Sequence, residues 1–214
     1  MDHNRLFNER AMVDCASDVR LPTPRHDGKV SLERAVRARR SVREFARGTL
    51  TLAEVGQVLW AAQGVTDAVG FRTAPSAGAL YPLVVHLMTG EVSSLGPGVY
   101  RYAPDEHTLI KAGEGDRRAD LATAALGQSW IADAPAALVL AAVYHRTTDK
   151  YGARGERYVH IEVGHAAQNV YLQALALSLG TTEVGAFDDR AVKAVLGLAD
   201  DQDPLAIMPI GRTR

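Results

Sequence analysis

Arg157-Tyr158-Val159-His160-Ile161-Glu162-Val163-Gly164-His165-Ala166-Ala167-Gln168-Asn169-Val170-Tyr171-Leu172-Gln173-Ala174-Leu175-Ala176-Leu177-Ser178-Leu179 is the run on which the fold turns. Its composition is strongly helical and it is apolar nearly all round, the pattern of a helix buried at the centre of a domain. Gly180 closes it. Upstream, after Pro135, Ala136-Ala137-Leu138-Val139-Leu140-Ala141-Ala142-Val143 reads as a strand buried on both faces. A buried helix beside such a strand demands further layers, and the rest of the chain supplies them.

Strands are expected at Leu83 to Met88, Gly98 to Tyr102, His107 to Lys111 and Leu205 to Ile210, the second and third joined by a Pro-Asp turn. Helices are expected from Ser31 as N-cap through Arg37, and from the capping box Thr51-Leu52-Ala53-Glu54 to Gln63. Two more run from Arg117 to Leu126 and, capped by Asp188, to Leu196. The segment Tyr144 to Glu156 is polar, and from Thr147 to Glu156 its composition allows an irregular course. The expected class is α+β, with a mixed central sheet flanked by helices and a long buried core helix. One domain is expected over residues 31–214, behind an irregular N-terminal arm over residues 1–30.

Composition narrows the function. The chain has 214 residues, 47% hydrophobic and 23% charged, ordinary values for a globular protein with a sizeable core. A net charge of −1 creates no field to attract nucleic acid or an anionic membrane, so any anion site must be local. The single cysteine, Cys15, allows no intrachain disulfide and no thiolate cluster, and has no local basic neighbour to activate it. No apolar run reaches the roughly 18 residues of a membrane span, so a cytoplasmic, soluble protein is expected.

Several constellations are absent. Gly113-Glu114-Gly115 lacks the third glycine of a dinucleotide fingerprint, and the chain has neither a Walker loop nor a serine elbow. His160 and His165 share a helix but stand about 140° apart around it, so they read as core or interface histidines and no metal site is expected. The basic stretch Arg39-Arg40-Ser41-Val42-Arg43-Glu44-Phe45 remains. Its forked guanidinium groups suit a phosphate or carboxylate. Its other reading is a solvated helix end complementing the negative dipole terminus.

Taken in order, these features resemble the nitroreductase-like flavoenzymes, from about Ser31 to the C-terminus. Within them the chain looks like the SagB-type branch, which includes thiazoline/oxazoline dehydrogenases. The likeness is carried by Ala74-Pro75-Ser76-Ala77-Gly78-Ala79-Leu80-Tyr81-Pro82, Gly98-Val99-Tyr100-Arg101-Tyr102, Leu126-Gly127-Gln128-Ser129-Trp130, Lys150-Tyr151-Gly152, Gly164-His165-Ala166-Ala167-Gln168-Asn169 and Val184-Gly185-Ala186-Phe187.

The resemblance implies an FMN-binding homodimer with its sites at the subunit interface. It places Arg39, Arg40, Ser41 and Arg43 at the phosphate, ribityl chain and flavin edge, and Arg212 at the phosphate. Pro75, Ser76, Ala77, Gly78 and Leu80 would reach the flavin from the partner subunit. Val184, Gly185 and Ala186 would lie along the isoalloxazine. Trp130 and Gln128 would wall the substrate pocket. Lys150 and Tyr151 resemble the acid/base pair of the azoline-oxidising branch; as neighbours they would act together only in an irregular segment. The implied activity is oxidation of an azoline by proton abstraction and hydride transfer to the flavin. The alternatives are an NAD(P)H-dependent nitro, quinone or enone reductase and a flavin-binding module without turnover.

Overall fold

In the computed structural model residues 18–214 are described, and Cys15, with most of the expected arm, lies outside them. Eight strands form one sheet: β1 (Val19–Arg20), β2 (Phe45–Ala46), β3 (Leu83–Thr89), β4 (Gly98–Ala103), β5 (Thr108–Glu114), β6 (Ala136–Ala142), β7 (Leu179–Thr181) and β8 (Asp203–Thr213). Their order is β1-β5-β4-β3-β6-β8-β2, with β7 on β8. Every pairing between named strands is antiparallel. Parallel pairing is confined to the bridges Ser41–Thr181 and Leu50–Val92.

Helices cover both faces: α1 (Leu32–Ala38), α2 (Leu52–Gln63), α3 (Arg118–Ala124), α4 (Trp130–Asp133), α5 (His145–Tyr151), α6 (Arg154–Ala176) and α7 (Asp189–Leu196). The larger core lies under α2 and α6, where Leu59, Val159 and Val163 meet Leu138, Leu140 and Met208. The smaller lies under α3, α4 and α7, where Leu121, Ile131 and Leu196 meet Val139 and Ile207. All seven residues of β6 are buried, because alternate side chains enter the two cores.

Local chemistry sets the helix starts. Ser31 accepts from the Arg34 N–H, Asp188 from the Ala191 N–H, and Thr51 with Glu54 closes the expected capping box on α2. The arm is partly built in: β1 pairs with β5, and Leu21 is buried in the main core.

Three expectations are corrected. The polar segment after β6 is helical as α5, since Tyr144 takes helical dihedrals and its carbonyl accepts from Thr147 and Thr148. The long helix is buried along one face only. Arg157, His160, Ile161, Gly164, His165 and Gln168 form an exposed stripe at helical spacing, so neither histidine is a core residue. Nor does Gly180 close that helix: α6 ends at Ala176, Ser178 makes the left-handed turn at φ 59°, and Gly180 belongs to β7. No helix among the described residues is long and apolar enough to cross a membrane.

Candidate active site

The arginine segment follows directly on the end of α1, where the Arg39 N–H still donates to the Ala35 carbonyl. It then runs along β7, bridging Ser41 to Thr181 and donating the Val42 N–H to the Thr181 carbonyl at 2.9 Å. Gly180 makes this approach possible, for a Cβ there would stand 2.7 Å from the Val42 side chain. Ser41 Oγ lies 3.2 Å from the Tyr171 hydroxyl, which in turn accepts the Glu183 N–H at 2.7 Å. The segment is therefore fixed by backbone bonds to the sheet and by one tyrosine from α6.

Its guanidinium groups are held without neutralisation. Arg39 lies over the Tyr171 ring at 5.2 Å and Arg43 over the Trp130 ring at 6.0 Å. Arg40 donates to the carbonyls of Arg37 and Arg39. Among the described residues none of the three forms an ion pair with a carboxylate. A cavity of about 350 Å³ opens beside them, lined by Arg39, Arg40, Val42, Tyr171, Gly180 and Thr181. Val184 bridges to Ile207 on β8, and the exposed Gly185 and Ala186 follow it. Gln128 donates to the Ala186 carbonyl at 2.8 Å, which brings it to this segment.

Arg212 stands apart from that set. Its guanidinium forks onto Glu54 at 2.6 and 2.9 Å and also donates to the Thr49 carbonyl. Burial alone would raise the Glu54 carboxyl; Arg212 and the Thr51 donors outweigh it and hold the group below its ordinary value. Arg212 thus anchors the start of α2.

The second group of expected residues lies on the loop between α2 and β3. Its single 3₁₀ turn, Ala77–Ala79, contains Gly78 at φ 64°, followed by Ala79 at 52° and Tyr81 at 48°. Side chains other than glycine rarely occupy this region, so the loop is strained and must be held from outside. A Cβ on Gly78 would stand 2.7 Å from the Tyr151 hydroxyl and 3.0 Å from Lys150 Nζ. Adjacent positions on a helix diverge, yet both tips meet at Gly78: the pair occupies the end of α5, and Lys150 Nζ folds back to 5.5 Å from the Tyr151 ring. The expectation that they need an irregular segment is therefore corrected. Tyr151 stacks edge-on against Tyr158 at 5.1 Å. Ser76 turns into the loop, its Oγ accepting the Tyr81 N–H at 2.9 Å, while the exposed His165 directs Nδ1 at the Pro75 carbonyl from 3.4 Å.

The two groups lie towards opposite ends of α6. Tyr171 serves the arginines and Tyr158 serves Tyr151; at 1.5 Å rise per residue these positions are about 20 Å apart along the axis. Sequence reading missed Tyr171 and Thr181, because a tyrosine late in an apolar helix and a threonine in a short strand look like packing. It also missed Glu162, whose available signal was a carboxylate amid apolar residues.

Residues 36–212 match the family described as "Nitroreductase family". The chain is 48% identical over 184 residues to "Putative nitroreductase MJ1384" of Methanocaldococcus jannaschii, covering 86% of this chain and 92% of that protein. A crystal structure of a putative nitroreductase from Ralstonia eutropha JMP134 superposes with a TM-score of 0.81 at 30% identity, over 92% of this chain and 90% of that one. The E. coli microcin synthetase McbBCD complex with truncated pro-MccB17 contains a chain of the same fold, with TM-score 0.72, 23% identity, and 84% and 73% coverage.

Proposed function

The chain belongs to the nitroreductase family of oxidoreductases, and on that premise we propose that it is an FMN-dependent dehydrogenase of the SagB type. The residues present fit FMN. Arg39, Arg40 and Arg43 offer cations that pair with no carboxylate among the described residues, Ser41 offers a hydroxyl, and a cavity opens beside Arg39 and Arg40, as a phosphate and ribityl chain require. Arg212 would join them only by loosening its hold on Glu54, so its share is the smallest. Gly185 and Ala186 are exposed, which suits a flat ring, while Val184 is buried with its N–H and carbonyl bonded to Ile207 and would fix the start of that segment.

The other side would come from a second copy. Along α6, Pro75 meets His165 about 9 Å from Tyr171, and Tyr151, closing on Gly78, meets Tyr158 about 20 Å from it, so the loop and the Lys150–Tyr151 pair stand away from their own chain's arginines. Pairing two copies through the exposed stripe of α6 would bring each loop to the other's arginine segment, and the exposed Leu32 and Val36 of α1 would extend that contact. Gln128 and Trp130, beside Ala186 and Arg43, would border the substrate.

One observation carries the dehydrogenase reading: Lys150 Nζ and the Tyr151 hydroxyl meet at Gly78. When bound, FMN supplies a two-electron acceptor. The chain's own task is then the proton. Tyr151, as its phenolate held beside the Lys150 ammonium, would take the Cα proton of a thiazoline or oxazoline and become the phenol; with a hydride given up to the bound acceptor, the product would be the aromatic azole. The shared fold with a pro-peptide-bound microcin synthetase component makes a peptide-borne azoline the first substrate to try.

A second reading, favoured by 48% identity to a protein named a putative nitroreductase, is an NAD(P)H-dependent reductase of nitro, quinone or enone compounds. Anaerobic mixing separates the two. Bleaching of the flavin band by an azoline peptide, and not by NADPH, supports the dehydrogenase; bleaching by NADPH alone supports the reductase. No bleaching by either leaves a binding module.

A further inference from the structure

Glu162 sits on the buried face of α6 and is 2% exposed. The long 3.5 Å contact from Gln63 Nε2 reaches its Oε1, and Gln63 Oε1 accepts from Arg72 Nη1 at 3.1 Å. Arg72 covers the Tyr81 ring at 4.7 Å and donates its backbone N–H to the Tyr81 hydroxyl at 3.3 Å. The Tyr81 N–H ends on Ser76 Oγ, and α6 packs against the turn that Ser76 opens. These contacts join α6, through Gln63 and Arg72, to the strained residues Gly78, Ala79 and Tyr81. Nothing in the reaction uses Glu162, and a carboxyl is an expensive way to fill a core position.

We infer that Glu162 is a positioning residue, holding through Ser76, Gln63 and Arg72 the strained loop against which Lys150 and Tyr151 close. Its bearing on catalysis rests on the flavin reading; its hold on the loop does not.

The hold is pH-sensitive. Burial raises the Glu162 carboxyl to about 7, against the lowering by Ser76, Gln63 and Arg72. The groups facing it are the neutral Gln63 from α2, and Ser76 and the cationic Arg72 from the loop; on α6 itself His165 is exposed and bonded to Pro75. The held loop keeps the carboxyl protonated to a higher pH than a released loop that admits water. The hold is therefore firmest below about pH 4.5, is already weakening at pH 6, and is lost as pH rises through about 7.

Amide hydrogen exchange across residues 72–82 of the full chain, corrected for intrinsic pH dependence, tests this. Wild type should exchange up to about tenfold faster at pH 8 than at pH 6, the limit set by a pKa near 7. Glu162→Gln, permanently neutral, should stay protected and flat with pH, whereas Glu162→Ala should exchange faster at both. A flat wild-type profile matching Glu162→Ala would overturn the assignment, and Glu162→Gln keeps the test available should the alanine variant fail to fold. A colourless protein with the pH-dependent loop would defeat the flavin reading alone; a yellow protein with a pH-independent loop would defeat this inference alone.

Discussion

The arginine side of the site and the Gly78 side are built by opposite means. Arg39 to Arg43 lie on backbone bonded to β7, and among the described residues their guanidinium groups form no ion pair with a carboxylate. The Gly78 loop has strained dihedrals and is held by side chains, with Glu162 beneath it and Lys150 and Tyr151 above. One side is fixed by main-chain geometry and, on the proposed reading, would receive an anion. The other is fixed by polar packing and can respond to pH. A binding function tolerates the first arrangement unchanged, whereas a catalytic one needs tips placed to within a fraction of an ångström, which the second provides.

Several changes would break or sharpen that contrast. Lys150→Met combined with Tyr151→Phe should leave FMN bound and slow azoline oxidation by about 10²–10⁴-fold, the usual worth of a positioned acid/base group; stopped-flow bleaching measures it, and an unaltered rate removes the pair from the mechanism. Wild-type stability should fall as pH rises from about 4.5 to about 7, by at most about 3 kcal/mol, because the folded carboxyl of Glu162 holds its proton more tightly than the unfolded one. Denaturant titrations at pH 5 and pH 8 check the sign, and Glu162→Gln should flatten the difference.

On the other side, Arg39→Ala should weaken FMN binding by roughly 1.5–3 kcal/mol, the worth of a charge-assisted contact, in a fluorescence titration. Gly180→Ala forces a Cβ to 2.7 Å from Val42 and should cost about 1–3 kcal/mol of stability by overpacking, with FMN loss following as Ser41 shifts. Arg212→Ala should be the mildest for FMN, since Glu54 already occupies its guanidinium, and its main effect should be a lower thermal midpoint. Equal losses of FMN affinity in Arg39→Ala and Arg212→Ala would erase the distinction between them.

How much could be read from the chain follows the same division. The capping box at Thr51 and Glu54, the Asp188 cap and the all-apolar β6 were legible because local chemistry decides them. The arginine cluster was legible as a run of guanidinium groups, but only the fold shows that Arg39, Arg40 and Arg43 pair with no carboxylate among the described residues. Arg212 looked equivalent to it, and only the fold reveals Glu54 opposite. The exposed stripe on α6 was hidden because Gly164, His165 and Gln168 blend into an alanine-rich helix, so that only the packed neighbours show which face is bare. The convergence of Lys150 and Tyr151 on Gly78 depends on a long-range approach of α5 to the loop, which no spacing rule encodes.

On the proposed reading one copy's arginines and another's loop complete a flavin site together. Releasing and quantifying the flavin of the purified full chain, with light scattering on the same sample, measures this. A yellow dimer holding FMN in equimolar amount with the chain is expected. A colourless chain that takes up no added FMN, or a monomer that keeps it as tightly, would contradict it.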